Sequence, residues 1–185
     1  MKKLALFDID GTLFDTSRVN YLSYKAAAEK LGYSIAQERF LAEYEGRNYK
    51  DFLPEFGIDK YEEMKFIHDE KKKIYPNFIN EVRPNIFLID IIKSLPDYYT
   101  KSIVTTASRK NAEDLLNEFA IADIFDFMIT QEDVTKLKPN PEAYLLAMDK
   151  TGVPSKDTVI FEDSEIGIEA AYATGATVFQ IRRFN

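Results

Sequence analysis

Residues 4–7, Leu-Ala-Leu-Phe, run apolar without alternation and stop abruptly at Asp8-Ile9-Asp10-Gly11. An unbroken apolar run suits a strand buried on both faces, as in a parallel sheet covered by helices. In such sheets ligands bind beyond the carboxyl ends of the strands, which is where Asp8 and Asp10 fall. Two carboxylates two residues apart repel when both are ionised. They coexist with a cation between them or with one of them protonated, so the pair suggests a metal site or an acid/base pair. Gly11 gives the backbone freedom to turn away from the site. Asp-x-Asp-Gly also suits an ordinary turn or helix cap, so the rest of the chain has to decide.

From Asp15 to Arg83 the pattern is helical. Val19, Leu22 and Ala26 share one helix face behind a Thr16 N-cap, and Gly32 provides a stop. Ser34 to Gln37 reads as a capping box opening a second helix through Phe40 and Leu41, ended by Gly46. Asn48–Phe56 suggests a short third helix, and Asp59 opens a fourth with Met64, Ile67 and Ile74. Strand–helix alternation begins after Arg83. Pro84 suits a first helical position before Ile86, Ile89 and Ile92. Apolar strands follow at 102–104, 127–129, 158–161 and 177–179, with helices between them. The chain is therefore expected to be α/β. A Rossmann-like, doubly wound parallel core covers 1–14 and 84–185, and a four-helix cap is inserted over 15–83.

The net charge of −7 argues against a nucleic-acid or anionic-membrane surface. No segment reaches the ~20 apolar residues of a membrane span. Met1-Lys2-Lys3-Leu4 begins like a signal peptide, but Asp8 interrupts the apolar run. The absence of Cys fits a reducing compartment, so a cytoplasmic location is expected. Nothing signals an obligate partner; a monomer or weak homodimer is expected.

Three strands end in complementary polar residues. The first offers Asp8 and Asp10, the second Thr105 or its neighbour Thr106, the third Glu162 and Asp163. A loop adds Lys136-Leu137-Lys138-Pro139. Parallel strands would bring these groups to one edge. Several carboxylates form a hard-oxygen site suited to magnesium, and a hydroxyl and a lysine supply donors to an anion. Together they suit a phosphoryl group.

With these motifs in order (Asp8-Ile9-Asp10-Gly11-Thr12, Thr105, Lys138-Pro139-x-Pro141 and Glu162-Asp163-Ser164), the chain resembles the haloacid dehalogenase-like hydrolases. The insertion sits where that family places a helical cap. The resemblance implies Asp8 as nucleophile, forming an aspartyl-phosphate, and Asp10 as general acid and then base. It implies Thr105 and Lys138 on the phosphoryl group, with Lys136 and Thr106 as rivals for these roles. It implies Mg2+ held by Asp8, the Asp10 carbonyl and Asp163, with Glu162 either a ligand or one step behind. Ser164 reads as a helix cap rather than a ligand. Many relatives carry an Asp four residues after the metal Asp; here that residue is Gly167.

Asp10 argues against dehalogenation, since dehalogenases of the superfamily lack that second aspartate. The Glu-Asp-Ser form also resembles the β-phosphoglucomutase branch, whose mutases carry a histidine where this chain has Asn20. The expectation is a phosphatase for a small phosphorylated metabolite. The alternatives are a mutase and a non-catalytic binding protein on the same scaffold. The cap should choose the substrate, with Tyr21, Tyr24, Arg47 and Tyr49 as candidates. Arg47 suits a carboxylate or a second phosphate. His68 reads as a surface or packing residue, and Lys71-Lys72-Lys73 as a solvated helix face.

Overall fold

The structure, a computed structural model, describes residues 2–44 and 47–182. The helix stop expected at Gly46 lies outside the described residues. In chain order the elements are β1 (Lys3–Phe7), β2 (Phe14–Asp15), α1 (Ser17–Glu29), α2 (Gln37–Tyr44), α3 (Tyr49–Phe52), α4 (Tyr61–Ile74) and β3 (Arg83–Pro84). After these come α5 (Ile86–Ser94), β4 (Tyr99–Val104), α6 (Arg109–Glu118), β5 (Phe127–Ile129), α7 (Glu142–Thr151), β6 (Thr158–Glu162), α8 (Glu165–Tyr172) and β7 (Thr177–Gln180). The chain divides into two compact units, Met1–Asp15 with Pro84–Asn185, and Thr16–Arg83.

The first unit is built on a parallel five-stranded sheet of order β5-β4-β1-β6-β7. Leu4, Ala5, Leu6 and Phe7 of β1 are wholly buried, as a central strand covered on both faces requires. The chain winds outward from β1 through β4 to β5, then returns to the other side of β1 through β6 to β7. Such a reversal opens a crevice beyond the carboxyl ends of the strands. Phe7 pairs with Ile103 on one side and Phe161 on the other, so Asp8, Val104 and Glu162 follow at one level. On one face Leu4, Leu6, Val104 and Ile160 pack with Tyr144, Ala147 and Met148 of α7 and Ala170 and Ala171 of α8. On the other face the rings of Phe7, Phe161 and Phe179 stack at 4.7 and 5.2 Å. Each large apolar side chain buried here contributes roughly 1.5–3 kcal/mol.

The second unit holds α1 to α4 around an aromatic core of Tyr21, Tyr24, Phe40 and Phe52, with Ile58 and Ile67. Phe52 meets Phe40 and Tyr24 edge to face, the arrangement ring quadrupoles favour.

Several local expectations are corrected. Pro84 pairs in β3, and the N-cap of α5 is Asn85, whose side chain accepts from Leu88 N. Asn85 is buried and also donates to the Thr12 carbonyl, so its amide serves two purposes at once. The second helix opens at Gln37 rather than behind Ser34. Lys71 is buried rather than solvated, its ammonium lying over the rings of Tyr75 and Tyr24 at 4.6 and 5.3 Å. A ring face attracts a cation and shelters its aliphatic stem, which a run of lysine letters does not reveal.

Candidate active site

β1 delivers Asp8 to the sheet edge, where its backbone N–H still donates to the Phe161 carbonyl at 3.1 Å. The chain then turns sharply. Gly11 takes φ +88°, and its N–H donates to the Phe14 carbonyl at 2.7 Å. A Cβ at Gly11 would lie 2.0 Å from Asp163 Oδ2, so only glycine lets the loop pass the β6 terminus this closely. Thr12 Oγ1 donates to Asp163 Oδ1 at 2.8 Å and fixes that carboxylate. Sequence reasoning gave Thr12 no such role; its burial beside the motif was not readable from its type.

Lys138, at a cis Lys138–Pro139 bond, is buried with its ammonium fully occupied. It donates to Asp8 Oδ1 at 2.7 Å, Glu162 Oε1 at 2.5 Å and the Val104 carbonyl at 3.1 Å. Glu162, wholly buried at the end of β6, is engaged on both oxygens. Its Oε1 also accepts from Tyr144 Oη at 3.0 Å. Its Oε2 accepts from Asp163 N, Ser164 N and Ser164 Oγ at 2.9 to 3.1 Å. Ser164 Oγ in turn accepts from Gly167 N at 3.2 Å and caps α8.

Thr105 follows directly on β4 in a buried position, its N–H donating to the Ile129 carbonyl and its Oγ1 accepting from Ala107 N. Thr106 is exposed. Lys136 lies on the exposed side of its loop, where its backbone N–H donates to Glu142. Asp10 is half-buried in the turn and is not one of the three carboxylates gathered around the edge. Its charge nonetheless pushes both Asp8 and Asp163 upward. Arg47 belongs to the helical unit, exposed, with its guanidinium donating to the Asp51 carbonyl at 2.8 Å.

The electrostatics follow from packing acids where water is scarce. Burial drives the Asp8 carboxyl well above its ordinary range; Lys138 opposes this, while Glu162, Asp163 and Asp10 add to it. Burial also lifts Asp163 to about 6, against the Thr12 hydrogen bond. Burial alone would pull Lys138 down, but Asp8, Tyr144 and Glu162 outweigh it and hold the ammonium charged. Four carboxylates against one ammonium leave a formal excess of three negative charges, the setting a divalent cation relieves. Asp8, Glu162 and Asp163 each offer an oxygen, all within 4.8 Å of one another. An all-oxygen carboxylate set of this kind suits a hard divalent ion such as magnesium.

The chain belongs to the haloacid dehalogenase-like hydrolases, whose family model matches residues 5–181. It is 28% identical over 175 residues to a phosphorylated carbohydrates phosphatase of Thermotoga maritima, covering 92% of this chain and 80% of that protein. It is also 28% identical over 183 residues to a β-phosphoglucomutase of Bacillus subtilis, covering 94% and 80%. Among solved structures, CbbY from Rhodobacter sphaeroides in complex with phosphate superposes with a TM-score of 0.81. That match has 26% identity and covers 100% of this chain and 88% of the other.

Proposed function

We propose that this hydrolase releases phosphate from a small phosphorylated metabolite by transferring the phosphoryl group to Asp8. The observation that carries the reading is the buried Asp8 carboxylate, aligned by Lys138 at 2.7 Å and flanked by Glu162 and Asp163 within reach of one small cation. A carboxylate attacks phosphorus poorly unless the charge between them is offset. Lys138 supplies one positive charge, and Asp8 and Asp163 would hold Mg2+, with Glu162, engaged on both oxygens, standing behind them. The ion, when bound, withdraws negative charge from the phosphoryl oxygens.

Asp8 Oδ then forms a bond to phosphorus as the bond from phosphorus to the substrate oxygen breaks. Asp10 gives that departing oxygen its proton. It next takes a proton from water as the water attacks the phosphorus and frees Asp8. Thr105 donates to a phosphoryl oxygen. The similarity to a phosphorylated carbohydrates phosphatase supports a sugar phosphate as the substrate class.

The similarity to a β-phosphoglucomutase keeps phosphoryl return to the sugar as a second reading. Asn20 weighs against it. The residue is buried, its amide donates to the Thr16 carbonyl at 2.9 Å, and it has no proton to exchange near neutral pH.

The test is phosphate release from a panel of sugar phosphates with Mg2+. Asp8→Asn should lower kcat at least ~10³-fold, as loss of a nucleophile does, with an unchanged melting profile. Retained turnover would remove Asp8 from this role. Isomerisation outpacing phosphate release would favour the mutase.

A further inference from the structure

Behind Lys138 stands a group that the steps above leave unused. Tyr144 of α7 is wholly buried, and its hydroxyl donates to Glu162 Oε1 at 3.0 Å. The same oxygen accepts from Lys138 at 2.5 Å, and the Tyr144 ring lies 4.9 Å from that ammonium. Opposite, Gly167 leaves the volume the carboxylate fills, since a Cβ there would lie 1.8 Å from Oε1. The other oxygen is pinned by Asp163 N, Ser164 N and Ser164 Oγ. Glu162 is therefore held independently of Lys138.

An ammonium has three protons, and all three are in use on Asp8, Glu162 and Val104. To donate to a phosphoryl oxygen, Lys138 must release one acceptor. Releasing Asp8 would undo the alignment of the nucleophile, and releasing Val104 would take that donor from a buried main-chain carbonyl. Releasing Glu162 is tolerable only if Oε1 keeps another donor, because a buried carboxylate oxygen without one is costly. Tyr144 is that donor.

We propose that Tyr144 is a positioning residue: its hydroxyl shares Glu162 Oε1 with Lys138, so the ammonium can turn from Glu162 to the transferring phosphoryl group while the glutamate stays in place. The proposal rests on the phosphatase reading above.

The experiment compares wild type with Tyr144→Phe on p-nitrophenyl phosphate with saturating Mg2+, alongside thermal unfolding. The variant keeps the ring and its face toward Lys138 and loses only the hydroxyl. We expect kcat about tenfold lower, the scale of one hydrogen bond to a charged group, with KM within about twofold. Unchanged kcat, or a raised KM at constant kcat, overturns the proposal while the phosphatase reading stands. An inactive wild type overturns that reading and this role with it. If Tyr144→Phe does not fold, Tyr144→Met, whose flexible apolar side chain fills the space without the hydroxyl, takes its place, and the same kcat-only loss is expected. Unchanged kcat there overturns the proposal.

Discussion

The two units each bury a lysine to the same depth, Lys138 at 8% exposure and Lys71 at 7%, and different neighbours surround them. Lys138 sits between the Asp8 and Glu162 carboxylates; Lys71 lies over the faces of Tyr24 and Tyr75. In the sheet unit the cation answers acids that the site itself brings together. In the helical unit it belongs to an aromatic core, where the ring quadrupole and the burial of its stem matter together. The acids around Lys138 belong to the chemistry of the site, and the rings around Lys71 belong to the core of the helical unit.

Removing each lysine should expose the contrast. Lys138→Met leaves two buried carboxylates without their cation. Without metal it should cost ~3–5 kcal/mol in unfolding free energy, measured by denaturant titration, and it should nearly abolish phosphate release. Gly167→Ala attacks the same cluster from behind by forcing Glu162 aside. A destabilisation of ~2 kcal/mol with a fall in kcat is expected, and a silent substitution would refute the steric account.

The helical unit responds to acid instead. Burial, with Lys72 and Lys71 nearby, pulls His68 down to about 4. An unfolded chain protonates it near 6.5. Between those values the unfolded state binds more protons, so stability should fall as pH drops through that window. The difference between wild type and His68→Gln, followed by melting from pH 7 to 4.5 without metal, should isolate ~2 kcal/mol. Comparing the two proteins cancels the opposite contribution of Asp8 and Asp163, whose raised values favour the fold on acidification. The smallest effect is expected from Lys71→Met, ~1 kcal/mol by the same denaturant assay. A loss as large as that of Lys138→Met would erase the contrast between the units.

Much of the sheet was legible because unbroken apolar runs ending in polar residues state both a strand and its direction. The register then levels Asp8 with Val104 and Glu162, as parallel pairing requires. Thr105 and Thr106 could not be separated by type; their places directly after β4 bury one and expose the other. Pro84 has the fixed φ of a first helical turn, but the same φ is tolerated in a two-residue strand, and Asn85 supplies the cap. Tyr144 was hidden because an aromatic at helical spacing reads as core. It is core, and its single polar atom still finds Glu162. Lys71 was misread because periodicity within a charged run carries no record of the rings that cover it.

Two glycines, Gly11 and Gly167, stand where Asp163 and Glu162 need room, at separations no side chain would survive. Neither has a functional group, so neither would be picked as part of a reaction. A saturation library screened for turnover should nonetheless be as intolerant at these two positions as at the acids beside them. Residues that contribute only vacated space would then rank with those that contribute atoms.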